Sequence, residues 1–283
     1  MALCHARVFK NKYMFYYYII LFFIFGIIVG SFLSVVVSRL ETGESILGGR
    51  SQCPKCKKEI KSYDLVPLLS FIVLKGRCRH CEKKISLFYP LIELAMGFLF
   101  ALLIYRFGNV FSGTNLYLFF SLHLIVLASL VAVFFYDWFY SIIPDKVLIP
   151  VGLAVLVAAI INVLFSKQLG LDFFIYKPEV LNLVYGLLIG GGFFLILVLI
   201  SREKWMGWGD VKLGIFLGIF LGYPSILVAL FFAFILGSIY SVVLLLLKKK
   251  KMKDAVPFGP FLVLGGLIAL FAGKWIVGWY LGI

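Results

Sequence analysis

Long apolar runs constrain this chain more than any other feature. Of its 283 residues 63% are hydrophobic, and polar breaks divide the sequence into a series of apolar stretches. A helix of about 20 apolar residues matches the roughly 30 Å hydrocarbon thickness of a bilayer. We therefore predict an all-α polytopic membrane protein with about eight transmembrane helices. The predicted spans are 16–38, 89–107, 117–136, 147–166, 182–200, 211–222, 225–247 and 257–279.

The distribution of basic residues predicts the orientation of these helices. The first apolar stretch lacks a small-residue cleavage site, so we interpret it as a span and not as a cleaved signal. If the N-terminus lies outside, 20 of the 27 Lys and Arg residues fall on the cytoplasmic side. Short cytoplasmic loops collect Lys and Arg, which favours this orientation. The net charge of +14 then reflects topology and contact with the lipid bilayer, and we expect no nucleic-acid partner.

The sizeable soluble segment, residues 39–88, carries two C-x2-C pairs. These pairs are Cys53 with Cys56 and Cys78 with Cys81. Two pairs at this spacing form two knuckles that can supply four thiolates to a structural Zn²⁺ ion. Disulfides or redox cysteines are the alternatives, but a cytoplasmic loop lies in a reducing compartment. We predict a small zinc-binding cytoplasmic domain between an N-terminal segment with the first helix, residues 1–38, and a seven-helix membrane domain, residues 89–283.

Two carboxylates, Asp137 and Asp210, lie at ends of apolar runs that the predicted topology places on the cytoplasmic side. An ionised Asp costs about 2.5–3.5 kcal/mol at the centre of a membrane helix, and less near the interface. Two carboxylates about 3 Å apart share one proton, so one acts as base toward water while the other polarises a carbonyl. Gly207 and Gly209 would let an extended substrate approach Asp210. Lys212 fixes the turn beside Asp210 or is a simple anchor at the inner surface. The pattern predicts an aspartic protease site with Asp137 and Asp210 as its catalytic pair.

Structural roles stay open for the acidic residues near the spans. Asp145 and Asp210 each precede an apolar run, where Asp is a favoured N-cap. Pro144 would set the turn before Asp145. Asp137 ends its run, where the helix dipole disfavours a negative charge, so it is the better catalytic candidate. Glu93, one turn into the second span, is a first-turn partner of the helix dipole or faces a polar site.

The sequence leaves three other functions open. An ion-coupled transporter would use Asp137 and Asp210 as ion sites, but it predicts acids near the bilayer midplane and a repeated half. A membrane-anchored zinc scaffold would leave Asp137 without a role. Another GxGD-type intramembrane aspartic protease, acting on ordinary transmembrane proteins, is the nearest enzyme alternative, and the cysteine-containing loop argues against it.

Taken in order, these residues resemble those of the bacterial prepilin peptidases, the membrane aspartic proteases of type IV pili, type II secretion and DNA uptake. The resemblance covers nearly the whole chain, and the ordered set of motifs is highly specific. The motifs are residues 30–36 with Arg39, the two cysteine pairs, residues 75–78, Tyr89 and Pro90 with Glu93, Asp137 with residues 143–145, residues 207–212 and residues 257–260.

The resemblance implies a protease of the bacterial cytoplasmic membrane in which Asp137 and Asp210 are catalytic. It implies a prepilin or pseudopilin substrate with a short basic leader ending in Gly, followed by an apolar helix that stays in the bilayer. Cleavage would follow that Gly on the cytoplasmic side.

Bifunctional members of this family also methylate the new N-terminal amine, usually of Phe, with S-adenosylmethionine. The resemblance therefore implies methyltransferase-related roles for Gly76, Arg77 and Glu93. Two positions depart from the usual pattern. Ser34 stands where the family usually has Asn, and Arg77 stands where Lys is frequent. Both departures bear on methyl transfer and leave the protease pair untouched.

Overall fold

Helices account for the regular structure of the chain. A computed structural model describes residues 12–43, 45, 48–108, 114–169, 174, 179–249, 251 and 256–282. Within these residues there is no β-strand, and only isolated bridges join Gln52 to Glu59 and Arg77 to Lys84. The chain divides into two compact units, residues 1–110 and 111–283. The all-helical prediction is confirmed.

The first unit is an antiparallel pair of membrane helices with the cysteine-containing segment between them. Its helices are α1 (Lys12–Thr42), α2 (Leu69–Val73) and α3 (Phe88–Phe107). Helices α1 and α3 approach closely at Gly26 and Gly30. A Cβ atom on Gly30 would lie 2.7 Å from the Cα atom of Glu93, so only glycine permits this helix separation.

The second unit is a bundle around one short central helix. Its helices are α4 (Thr114–Tyr140), α5 (Asp145–Leu169), α6 (Val180–Leu187), α7 (Phe193–Ser201), α8 (Trp208–Leu221), α9 (Ser225–Leu246) and α10 (Gly259–Leu281). A π-helical turn, Leu188–Gly192, joins α6 to α7 in one continuous span. Leu213 and Leu217 of α8 are fully buried. Their burial places α8 inside the bundle.

Paired glycines bring α8 against the α6–α7 span. Gly186 and Gly190 are four residues apart, as are Gly214 and Gly218. A Cβ atom on Gly186 would overlap the carbonyl oxygen of Gly218, and one on Gly190 would overlap that of Gly214. Small residues at this spacing let membrane helix backbones pack closely in the absence of a hydrophobic driving force. The contact between the helices therefore requires a glycine, which has no side chain, at all four positions.

Seven helical spans in the described part of the chain are long and apolar enough to cross a membrane. They correspond to seven of the eight predicted spans. The remaining one, predicted at 211–222, is helix α8, whose 14 residues give a length of only about 21 Å. Helix α8 is thus too short to span a bilayer of normal thickness by itself, and its buried position in the bundle fits that length.

The glycine contact predicts the effect of a single methyl group. We expect Gly214→Ala to lower the stability of the protein by about 1–3 kcal/mol, the usual cost of overpacking, because its Cβ atom would overlap the carbonyl oxygen of Gly190. Gly192→Ala is the control, since its Cβ atom would meet no atom within 4 Å. Thermal unfolding of the two variants in detergent measures the difference. Equal melting temperatures would contradict the proposed packing.

Candidate active site and metal centre

Asp137 lies three residues before the C-terminal end of α4 and is almost completely buried, with 4% of its surface exposed. Its carboxylate lies against Gly259, the first residue of α10, at the end of the helix that carries free backbone N–H groups. The N-terminal end of a helix carries unpaired N–H groups and a positive dipole end, and both stabilise an anion. The dipole of its own helix disfavours Asp137, while that of α10 favours it.

Residue 259 must be a glycine because the Asp137 carboxylate occupies the space that a side chain would take. A Cβ atom at residue 259 would overlap the Oδ2 atom of Asp137. The following residue, Pro260, lies in the first turn of α10, where its missing N–H is tolerated. The segment around Gly259 therefore forms a fitted cradle for one carboxylate.

Asp210 lies in the first turn of α8 and is half-buried. The N-cap interpretation of Asp210 is wrong, because α8 begins at Trp208 and Gly207 is the N-cap residue. The Oδ2 atom of Asp210 accepts a hydrogen bond of 3.4 Å from the N–H of Gly207. A carboxylate at this third helical position satisfies a free N–H group and lets the helix begin earlier than the apolar run suggests.

Ile143 links the segments that hold the two carboxylates. A Cβ atom on Gly209 would lie 3.2 Å from the Cβ atom of Ile143, and one on Gly259 would lie 3.4 Å from its Cδ1 atom. The buried Ile143 side chain is thus packed between the residue before Asp210 and the residue that contacts Asp137. The two carboxylates are close enough for their charges to repel each other.

An ion pair joins the N-terminal ends of α5 and α8. The Nζ atom of Lys212 lies 2.8 Å from Oδ1 and 2.7 Å from Oδ2 of Asp145, the first residue of α5. The buried Pro144 precedes it, and its carbonyl oxygen accepts hydrogen bonds from the N–H groups of Val147 and Leu148. Lys212 and Asp145 are both partly exposed, so the pair contributes orientation more than stability.

The four cysteines form one cluster in the first unit. The Sγ atoms of Cys53, Cys56, Cys78 and Cys81 all lie within 4.8 Å of one another, and Cys53 and Cys81 are separated by 3.9 Å. Four sulfurs at the corners of a tetrahedron around a zinc ion lie about 3.8 Å apart, given a Zn–S distance of about 2.3 Å. The cluster is therefore able to hold a metal ion.

The ionisation of these thiols also fits a cation. A hydrogen bond from the backbone N–H of Cys56 lowers the pKa of Cys53 to about 6. At Cys81 the backbone N–H of Lys83 acts in the same direction, but burial and the neighbouring sulfurs outweigh it and raise the pKa to about 11. Four thiolates this close together need a positive charge among them.

A second interaction fixes the second knuckle to the segment before α2. Arg79 binds the Asp64 carboxylate with two nitrogens, at 2.6 Å and 2.9 Å. The Arg79 hydrogen bonds lower the pKa of Asp64 below its ordinary value. When folding lowers the pKa of a carboxylate, the folded state gains stability at pH values above the unfolded-state pKa. This stability is lost as the pH falls through the folded-state pKa. The pair therefore supports the domain throughout the neutral range.

The residues for which the resemblance predicts a role in methyl transfer occupy two separate places in the first unit. Gly76 has a φ of +66° and precedes the second knuckle, and Arg77 next to it is exposed. Glu93 is buried in α3, where its Oε2 atom accepts a hydrogen bond of 2.9 Å from the N–H of Leu68. The described contacts of Glu93 involve neither Gly76 nor Arg77.

Sequence reasoning assigned no chemical role to Gly259 or Ile143. Both lie within motifs of the family resemblance, at residues 257–260 and 143–145, yet neither has a functional group that chemistry alone would select. The available signal was a glycine directly before a proline at the start of an apolar run. That signal marks a helix start, but it does not indicate which side chain the glycine must accommodate.

The fold and the site define a polytopic membrane protein with two neighbouring carboxylates, one buried and one half-buried, and a four-cysteine cluster that could hold a metal ion. Two family models match the chain: the Bacterial Peptidase A24 N-terminal domain over residues 24–107 and the Type IV leader peptidase family over residues 124–242. The chain belongs to the Type IV leader peptidase family, a family of proteases.

Several relatives match the sequence of this chain over most of their length. The prepilin leader peptidase/N-methyltransferase of Bacillus subtilis (strain 168) is 32% identical over 92% of this chain and 96% of the relative. That of Aeromonas salmonicida (strain A449) is 30% identical over 93% and 94%, and that of Legionella pneumophila is 34% identical over 82% and 76%. No solved structure matches the chain. The resemblance inferred from the motifs is confirmed.

The ion pair at Arg79 predicts how firmly the domain holds its metal. We expect Arg79→Gln to release metal to a chromogenic chelator faster than the wild-type protein at neutral pH, because the Asp64 side chain is only 7% exposed and would lose its partner. Arg50→Gln is the matched control, since its ion pair with Glu59 is largely exposed and worth about 0–1 kcal/mol. Equal release rates for both variants would contradict the assigned role.

Proposed function

We propose that this protein removes the leader peptide of type IV prepilins or pseudopilins, with Asp137 and Asp210 as the catalytic pair. The observation that carries the proposal is the meeting of two carboxylates at the ends of α4 and α8, in a chain whose relatives are named prepilin leader peptidases. Seven apolar helices and the family fit a multi-pass protein of the bacterial inner membrane.

The chemistry follows from the coupling of the two carboxylates. Because repulsion disfavours double ionisation, the pair holds one shared proton and titrates as a unit. The ionised member takes a proton from water, and the protonated member donates a hydrogen bond to the scissile carbonyl. Gly207 and Gly209 both precede Asp210. Ile143 fills the space beside Gly209, whereas the space beside Gly207 is open, which leaves room there for an extended peptide.

We propose that the substrate carries a short basic leader ending in Gly, with cleavage after that Gly at the cytoplasmic membrane face. The apolar helix that follows would remain in the bilayer. The distribution of Lys and Arg supports an orientation with the N-terminus outside and with the cysteine domain and both carboxylates facing the cytoplasm.

We further propose that the protein methylates the new N-terminus with S-adenosylmethionine. The support is the name of the relatives, prepilin leader peptidase/N-methyltransferase. Gly76, Arg77 and Glu93 are the residues proposed to matter for this second activity. Mass spectrometry of the cleaved product, with and without S-adenosylmethionine, would detect the added methyl group.

Zinc is the proposed metal of the four-cysteine cluster, and its role is structural. Four thiolates with sulfur spacing near that of a tetrahedral ion are typical of closed zinc sites, which leave no position for a substrate. A short loop without a large apolar core gains folding free energy from such an ion. Elemental analysis of the purified protein tests the identity of the metal.

Substitution of each carboxylate tests the catalytic pair. We expect Asp137→Asn and Asp210→Asn each to slow leader cleavage by about 10²–10⁴-fold, since Asn keeps the shape but cannot exchange a proton. Glu179→Gln is the control, because it removes an exposed carboxylate at the start of α6. Cleavage of a prepilin-type substrate in proteoliposomes is the measurement. Full activity of both Asn variants would exclude the aspartic mechanism.

The contact between Gly259 and Asp137 gives a second, independent test. We expect Gly259→Ala to slow cleavage by about 10²-fold, the effect of displacing a reacting group by roughly 1 Å, because the new methyl group would overlap the carboxylate. Gly192→Ala adds the same methyl group in open space and should leave cleavage unchanged. If both variants behave like wild type, the Gly259 N–H is not what positions Asp137.

A further inference from the structure

Helix α2 of the cysteine-containing segment exposes an apolar surface that the proposed function does not use. Leu69, Ile72 and Val73 are 62%, 68% and 72% exposed, and Leu65 and Val66 just before the helix are also exposed. Five large apolar side chains grouped on a segment between two membrane helices are unusual for a surface in contact with water.

The depth of α2 follows from its hydrogen bond to α3. Helix α3, Phe88–Phe107, has 20 residues and a length of about 30 Å, so the whole helix is needed to cross the hydrocarbon core. Phe88 then lies at one boundary, and Glu93 lies about 7 Å inside it. Because the Glu93 side chain leans back toward the N-terminal end of α3, the bonded Leu68 N–H lies at or just inside that boundary.

Most backbone N–H groups of this segment meet the requirement that lipid imposes. Polar backbone groups that enter a bilayer must find partners within the protein. The N–H of Leu68 binds Glu93, and that of Ser70 binds the Val66 carbonyl oxygen. Further N–H groups that donate to carbonyl oxygens of the same segment are those of Leu69, Ile72, Leu74, Lys75 and Gly76. The Ser70 hydroxyl likewise donates to the Tyr63 carbonyl oxygen.

The charges around α2 also fit a membrane surface. Lys61 precedes the apolar stretch, and Lys75 and Arg77 follow it, all three exposed. Basic residues beside an apolar surface are attracted to anionic lipid head groups, at about 1 kcal/mol each near the surface. The nearby acidic side chain, that of Asp64, is already paired with Arg79.

We infer that α2, with Leu65 and Val66, lies in the bilayer interface with its apolar side chains among lipid acyl chains, and that Glu93 holds it at that depth. The bound partner is the lipid leaflet on the side of the cysteine domain. Glu93 acts as a positioning residue: its Oε2 atom accepts a hydrogen bond from the Leu68 N–H.

Photolabelling with lipid tests this placement in the full-length protein. The probe is a phospholipid with a diazirine in its acyl chain, added in trace amount to vesicles of phosphatidylcholine and phosphatidylglycerol. Trypsin releases residues 62–75, 85–106 and 51–55 as separate peptides. We expect lipid adducts on 62–75 and 85–106 and none on 51–55. Labelling of 85–106 without labelling of 62–75 would overturn the inference.

Charge substitutions on α2 distinguish a surface that faces lipid from one that binds the substrate. We expect Ile72→Asp combined with Val73→Asp to lower the adduct yield on 62–75 several-fold, while Lys57→Asp combined with Lys58→Asp, in the same domain, leaves it unchanged. Metal content verifies that the domain is folded in each variant. If a variant does not fold, the labelling of the wild-type protein tests the inference. Displacement of the lipid adducts by a peptide with the apolar helix of a substrate would assign the surface to the substrate and overturn the inference.

The role of Glu93 has its own comparison. Glu93→Leu removes the acceptor of the Leu68 N–H and is expected to lower the adduct yield on residues 62–75. Glu93→Gln keeps a carbonyl oxygen at the same place, so its adduct yield on residues 62–75 is expected to equal that of the wild-type protein. Equal labelling of the Leu and Gln variants would show that Glu93 does not hold α2. None of these measurements depends on protease or methyltransferase activity.

Discussion

A carboxylate within a membrane helix needs a hydrogen-bond donor, and this constraint shapes both units of the protein. Asp210 and Glu93 accept hydrogen bonds from the backbone N–H groups of Gly207 and Leu68, and Asp137 lies against Gly259 at the N-terminal end of α10. An unpaired carboxylate in a site of low dielectric costs several kcal/mol. Each donor belongs to a helix start or to a turn, where N–H groups lack intrahelical partners. The free N–H groups at the ends of secondary-structure elements therefore offset the free-energy cost of burying these carboxylates.

Glycine provides the short distances that these contacts require. The carboxylate of Asp137 occupies the space that a side chain on Gly259 would take, and α8 reaches its buried position through glycines that face Gly186 and Gly190. In lipid, where burial of apolar surface between helices gains little, such close backbone contacts replace the hydrophobic effect as the source of packing energy. The α8 contacts also fix the position of the helix whose first turn carries Asp210.

The two units use different means to stabilise short segments. The cysteine-containing segment has little apolar core, and its order comes from the four-cysteine cluster, the Asp64–Arg79 ion pair and the hydrogen bond to Glu93. Helix α8, although shorter than a normal membrane span, is surrounded by other helices and buries Leu213 and Leu217 completely. In the first unit polar contacts and the cysteine cluster compensate for missing burial, and in the second unit burial compensates for missing length.

The sequence by itself determined the all-helical class, seven of the eight predicted spans and the cysteine cluster, and it predicted Asp137 and Asp210 as the catalytic pair. These features depend on local patterns: about 20 apolar residues for a span, two C-x2-C pairs for a cluster, and an acidic residue where lipid disfavours charge. Only the tertiary structure decided that Asp137 meets the N-terminal end of α10, that Ile143 packs between Gly209 and Gly259, and that Leu68 binds Glu93. Such contacts join residues far apart in the chain, and a glycine or a backbone N–H shows in the sequence no sign of the partner it will meet.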